Sequence, residues 1–151
     1  MTMRKALLGA TMLALALTAA SGQAQWVMAA RAVSGQVERM TNKSKDGSGY
    51  DVATVVLAAN ADKVYQTALS SLKANHPDIT IKSSSAKKRE IKFSKGDQIA
   101  SMKATPLGEK LTQLVVASNL SGAQTGTTSM VVNGVMKVCK EMNVVCTLTE
   151  E

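Results

Sequence analysis

The sequence predicts an α+β domain: a two-layer sandwich in which a mostly antiparallel sheet carries two helices on one face. Three observations lead there. Residues 61–75 and 129–142 each place apolar side chains on one stripe at helical spacing. Between them, short segments alternate apolar and polar residues and are joined by turn chemistry too tight for crossovers, so neighbouring strands run antiparallel. Two helices with one-sided stripes need an apolar surface to cover, and a sheet with one apolar face supplies it.

The elements are taken in chain order. Residues 1–24, "MTMRKALLGATMLALALTAASGQA", read as a signal peptide. Arg4 and Lys5 form the positive start and Ala6 to Ala20 an apolar run. Gly22 and Ala24 suit a signal-peptidase site, so cleavage is expected near Ala24. The run is shorter than the ~20 apolar residues of a bilayer span, which weighs against an uncleaved anchor, and no transmembrane span is expected after cleavage. Residues 25–49 read as an N-terminal extension and linker. Trp26, Ala30, Val33, Val37 and Met40 recur at helical spacing, but Gly35 interrupts them, and Gln36 to Asn42 fit a short strand equally well. "NKSKDGSG" is polar linker composition.

The α+β domain is assigned to residues 50–151. "YDVATVVLAA" reads as a strand buried on both faces. Asn60 is placed as an N-cap, with Asp62 in the first turn where the helix dipole favours it. The helix carries Val64, Ala68 and Leu72 on one stripe, flanked by Tyr65 and Leu69, and "NHPD" ends it because Pro77 cannot continue it. "DITIKS", "REIKFSK" and "QIASMKAT" are alternating strands, with "SSAKK", "KGD" and "TPLGE" as their turns, and "KLTQLVVAS" is a more central strand. The second face of the sheet then turns Lys82, Lys92 and Lys103 to solvent. After a Gly/Ser/Thr loop, Thr127 or Thr128 is expected to cap a second helix. Its stripe is Val131, Val135, Val138 and Met142, with Val132, Met136 and Cys139 beside it, and Asn143 is the residue just past its end. "VVCTL" reads as a closing strand.

Composition bounds the function. The formal charge is +7, and the chain stays basic when Arg4 and Lys5 leave, which favours anionic surfaces. Trp26, Tyr50, Tyr65 and Phe93 are the only aromatics, too few for stacking on single-stranded nucleic acid, and an exported protein rarely meets it. Expected partners are an anionic envelope component or another periplasmic protein.

Cys139 and Cys146 are the only cysteines. An even pair in an exported chain is ordinarily oxidised, and a chain reversing after the helix can bring the two within bridging reach. A redox pair lacks the CxxC spacing at a helix start, and a metal site lacks ligands, since His76 is the one histidine. Two unpaired buried thiols are the remaining alternative. No metal or other cofactor is expected, and no Ser/His/Asp or carboxylate grouping points to catalysis.

Two patches are candidate anion contacts. Lys87, Lys88, Arg89, Lys92 and Lys95 form the densest charge cluster, the first four being the candidate contacts, read either as an electrostatic contact or as a solvated hairpin whose lysines guard sheet edges. Thr127 and Thr128, in the Gly/Thr-rich loop and helix start at 119–130, offer a rival small-anion or small-molecule site. That loop lacks the lysine of a phosphate-binding loop, and ordinary capping explains it as well. The primary expectation is therefore a non-enzymatic, periplasmic or secreted envelope-binding module, with the small-ligand binder as the alternative.

From "YDVATVVLAANADKVYQTALSSLKANHPDITIK", through "PLGEKLTQLVVAS", to "GTTSMVVNGVMKVCKEM", residues 50–142, the sequence resembles a family of small exported bacterial proteins and lipoproteins whose domain has no assigned function. The resemblance implies the same fold and compartment. No cysteine stands near residue 24 to take a lipid, so it implies a free periplasmic form rather than an anchored one.

Overall fold

The computed structural model describes residues 34–43, 45, 48–75, 77–119 and 129–149. Residues 1–24, Trp26, Ala30, Val33, His76, Thr127 and Thr128 lie outside the described residues. The elements are β1 (Gln36–Lys43), β2 (Gly49–Leu57), α1 (Ala61–Asn75), β3 (Ile79–Ser85), β4 (Glu90–Lys95), β5 (Gln98–Gly108), β6 (Leu111–Asn119), α2 (Met130–Glu141) and β7 (Thr147–Leu148). They form an α+β fold with one sheet in the order β3-β4-β5-β6-β2-β1-β7. Neighbouring strands are antiparallel except β1 and β7, which are parallel. Of the two readings open for residues 36–42, the strand is adopted, and the sheet thus begins ahead of Tyr50.

Period-two alternation sets which side chains are buried. Asp51, Ala53, Val55 and Leu57 of β2 are buried, with Ala100, Met102 and Ala104 of β5, Leu114 and Val116 of β6, and Ile91 and Phe93 of β4. Lys82, Lys92 and Lys103 are exposed, as the alternation requires. β2 is not buried on both faces: Val52, Thr54 and Val56 are only half-buried, because α2 covers the Ala53 side alone. α1 packs on β3, β5 and β6, α2 packs on β1, β2 and β6, and the helices touch each other.

The helix ends are set by local chemistry. Asn60 Oδ1 accepts the backbone N–H groups of Asp62 (2.9 Å) and Lys63 (3.4 Å), capping α1. The cap of α2 is Ser129 rather than Thr127 or Thr128; its hydroxyl accepts the N–H of Val132. At the other end Asn143 takes φ +57°, its N–H donates to Lys140 O (3.0 Å), and Val144 N–H donates to Cys139 O (2.9 Å). This is a Schellman closure, in which a left-handed residue returns the chain over the last turn.

Two other expectations are corrected. "TPLGE" is not the turn: β5 runs through Pro106 to Gly108, and the reversal falls at Glu109 and Lys110. The N–H of Ala104 points toward β4 and donates to Arg89 O. Two residues on, β5 has outrun the β4 pairing that ends at Lys103–Glu90, so the missing N–H of Pro106 leaves no ladder bond unmade. "VVCTL" contributes only Thr147 and Leu148 as strand, because the Schellman turn and the disulfide use up the residues before them.

Cys139 and Cys146 are bonded, with their Cα atoms 6.1 Å apart. Closing so short a loop stabilises the fold by about 2–3 kcal/mol in the chain-entropy model. The bond leads the chain from α2 back to β1, where Thr147 N–H donates to Gly35 O and Thr149 N–H to Val37 O, both at 2.9 Å.

Gly35 is required at that junction. Its φ is +82°, and an added Cβ would lie 2.5 Å from the Val145 carbonyl oxygen, a backbone atom that cannot swing away. Gly96, in the β4–β5 turn at φ +57°, would meet nothing within 4 Å. Gly35→Ala should therefore cost about 2–3 kcal/mol, from clash and left-handed strain together, and Gly96→Ala about 1 kcal/mol from strain alone. Urea unfolding midpoints of the two variants measure the difference; equal losses would refute the packing role of Gly35.

Candidate functional site

Asp51 is the most deeply buried acid of the described residues, and it lies on the core face of β2. Register explains its company. Thr41 of β1 sits opposite Asp51, and Arg39 sits two residues along the same face, opposite Ala53. Arg39 donates from Nε and from a terminal nitrogen to the two carboxylate oxygens, at 2.9 and 3.0 Å. Thr41 Oγ1 donates at 3.0 Å and Ser129 Oγ at 2.6 Å. Burial pushes the Asp51 carboxyl upward. The hydrogen bonds from Arg39, Ser129 and Thr41, with the Arg39 charge, outweigh it and hold the group below its ordinary value. The same Ser129 oxygen accepts from α2, so a carboxylate in β2 fixes where that helix starts. What the described contacts show is a positional role: the carboxylate joins β1, β2 and the start of α2.

Beyond Ser129, α2 turns Met130, Asn133, Gly134, Lys137 and Val138 toward a cavity of about 270 Å³. Those positions fall three to four residues apart, one face of the helix. α1 contributes Ala68, Ser71 and Leu72; the sheet contributes Ile79 of β3, Phe93 and Lys95 of β4, and Gln98 and Met102 of β5. The lining is mostly apolar, with five polar side chains interspersed. Gln98 is itself fixed: its amide donates to Ser118 Oγ (3.3 Å) and to Asn119 O (3.2 Å). Lys95 Nζ lies 3.0 Å from Asp78. Small residues from both helices are part of the lining: Ala68 and Ser71 on α1, Gly134 on α2.

The sequence-derived anion candidates converge only in part: Lys88 and Lys92 line one surface pocket with Ser83, Ser84, Ser85 and Glu90. Lys87 and Lys88 are exposed on the β3–β4 turn, where Ser85 Oγ accepts the Lys88 N–H (3.3 Å). Arg89 turns the other way, and its Nε donates to Asp62 Oδ1 at 2.6 Å, tying the hairpin to the first turn of α1. Lys92 is on the exposed sheet face, 3.7 Å from Glu90. Thr127 and Thr128 lie outside the described residues, and the helix start just after them is occupied by Ser129 and Asp51. Among the described residues no group of His, Cys, Asp or Glu is arranged to hold a metal ion. No described helix is long and apolar enough to cross a membrane.

Sequence reasoning missed both Asp51 and the cavity. Arg39 and Thr41, alternating on a segment that pairs with Asp51, carried a readable signal once that segment was taken as a strand. The cavity carried only a faint one, the glycine in mid-helix.

No protein-family model matches the sequence, and no curated protein does. Among solved structures, a conserved protein of unknown function from Enterococcus faecalis is similar, with a TM-score of 0.51 at 13% identity over 70% of this chain and 77% of that one. It shares the fold over that span. An aromatase/cyclase, ZhuI, from Streptomyces sp. R1128 gives 0.41 at 16% identity over 65% of this chain and 84% of that one, too slight a likeness to bear on fold or chemistry.

Asp51→Asn should lower stability at neutral pH by about 3 kcal/mol, because it strands the Arg39 guanidinium beside a neutral amide. The pH dependence has a definite sign. A carboxyl depressed in the folded state is protonated first in the unfolded chain, so its contribution is complete above about pH 5 and drains away as pH falls through 4 and below. Urea unfolding from pH 7 to pH 3 should show the wild type losing stability faster than Asp51→Asn; parallel curves would remove the network from this role.

Proposed function

We propose that the protein is an exported, non-enzymatic binding domain of the bacterial envelope that holds a small apolar or amphipathic molecule between its helices and its sheet. The observation carrying this reading is the cavity bounded by Ala68, Leu72, Phe93, Met102 and Gly134. A pocket with an apolar lining and a few placed polar groups is the usual form of a small-ligand site. In this reading α1 and α2 make one layer over one sheet face, as expected of a two-layer sandwich, and the ligand lies between the layers. The bonded cysteine pair and the leader-like sequence of residues 1–24 support an oxidising compartment outside the cytoplasm. Membership in the family of small exported proteins of unassigned role belongs to the same proposal.

Ala68→Leu tests it. The longer side chain grows from α1 into the cavity while helix propensity is kept. Titration with 1-octanol, monitored by amide chemical shifts, should move Phe93, Met102 and Gly134 in the wild type, and the variant should bind at least tenfold more weakly. No saturable shifts in the wild type, or equal binding by both proteins, would overturn the cavity as a ligand site.

A second reading, contact with an anionic envelope surface, is favoured by the exposure of Lys87 and Lys88 on a protruding turn. A K87E/K88E variant should lose co-sedimentation with vesicles containing anionic lipid, with Arg89 left in place for its bond to Asp62. Unchanged co-sedimentation, or none by the wild type, refutes the contact.

A further inference from the structure

We infer that the outer side of the β3–β4 hairpin holds a phosphate group that still carries a proton, either the free anion or the end of a small ester. The site is a surface cavity of about 140 Å³ lined by Ser83, Ser84, Ser85, Lys88, Glu90 and Lys92. Every one of these side chains can hydrogen-bond and none is apolar, in contrast to the cavity between the helices and the sheet.

Plain alternation would not build this site. Ile81 sits opposite Phe93 on the core side, and a regular strand would carry Ser83 and Ser85 to that side as well. The register shifts between Ile81 and Ser83, so Ser83 comes opposite Lys92 and Ser85 opposite Glu90. A shift of this kind re-aims side chains, and here it moves two hydroxyls to the lysine-bearing face. β3 is the edge of the sheet, so no further strand covers them. Ser85 Oγ accepts the Lys88 N–H at 3.3 Å, and its own O–H is left to donate.

The charges choose the ligand. Lys92 lies 3.7 Å from Glu90 and its side chain is 60% exposed. So long and exposed a pair holds Lys92 weakly, and the ammonium can turn to a ligand. Lys103, on the same face, stands opposite Glu90 from β5, so lysines outnumber the one acid and favour an anion. Glu90 then sets which anion. An ionised carboxylate can only accept a hydrogen bond, so it repels an anion that has no proton to offer. A phosphate with one P–O–H donates that proton to Glu90, while its other oxygens accept from Ser83, Ser85, Lys88 and Lys92. Sulfate has the same shape and no proton.

The test is amide shift titration of the full-length protein with inorganic phosphate, glycerol 3-phosphate and sulfate. It is run at constant ionic strength and pH 6, where a phosphate ester is about half protonated. Phosphate should give saturable shifts at Ser83, Ser85, Lys88 and Lys92, and sulfate should bind at least fivefold more weakly. S83A/S85A should weaken phosphate at least fivefold, and E90Q should raise sulfate to the level of phosphate. Glycerol 3-phosphate binding as well as phosphate would support an esterified ligand; phosphate binding alone would support the free anion. Sulfate equal to phosphate in the wild type, or unchanged selectivity in E90Q, would reduce the site to a general basic patch and overturn the inference. No saturable shift, or binding indifferent to S83A/S85A, would overturn it too. None of these outcomes bears on octanol binding, so the interior cavity stands or falls separately.

Discussion

One buried carboxylate orders this fold. Asp51 accepts four hydrogen bonds from three side chains, two of them on β1 and one at the start of α2. A lone carboxylate in that position would be costly enough to protonate or to prevent folding. The donors repay the loss of water only if β1 is in register with β2 and Ser129 is in place. The charge therefore acts as a geometric condition: a one-residue slip of β1 would carry Arg39 and Thr41 to the opposite face and leave Asp51 without them. The turns of α2 beyond Ser129 inherit their position from this arrangement.

The opposite end of α2 is fixed by different chemistry. The Schellman closure at Asn143 turns the chain back, and the Cys139–Cys146 bond holds the turn while Thr147 and Thr149 hydrogen-bond to the Gly35–Val37 segment. Both ends of the helix are thus tied to the β1–β2 side of the sheet, one by an ion pair and its hydrogen bonds, the other by a covalent bond. Val131, Val135 and Val138 then pack as a stripe between two fixed points.

How much of this was legible in the sequence depends on the range of the interaction. Helix α1, its Asn60 cap, the alternating strands and the Asn143 turn are set by residues within a turn or a pleat of one another, and local periodicity finds them. The partners Cys139 and Cys146 were legible for the same reason. Asp51 is different. It comes after Tyr50 at the start of an apolar strand and looks like a polar boundary residue until its neighbours across β1 are known. The basic cluster was legible as a cluster but not in its arrangement: Lys87 to Lys92 are close in sequence, and alternation with a left-handed Arg89, φ +52°, distributes them over a turn, a helix contact and the outer sheet face. The cavity is least legible of all, because its lining draws together residues from two helices and three strands that are far apart in sequence, Ala68 and Gly134 among them.

The tethers and the cavity belong to one energetic argument. A sealed void of about 270 Å³ would cost roughly 6 kcal/mol at the usual rate per unit volume, and a cavity open to water costs less. A glycine in mid-helix adds about 1 kcal/mol against α2. A helix held only by side-chain packing would settle into such a gap and close it. Here it is held at Ser129 and at Cys139, so the span between them keeps its place without drifting. At Gly134 the helix comes close to the sheet, since an added Cβ there would meet Met102 Cε at 3.2 Å and Val116 Cγ1 at 3.6 Å. The helix is therefore close to the sheet at one point and stands off beside it. That combination persists only because the two ends are fixed by bonds that do not depend on what fills the space between them.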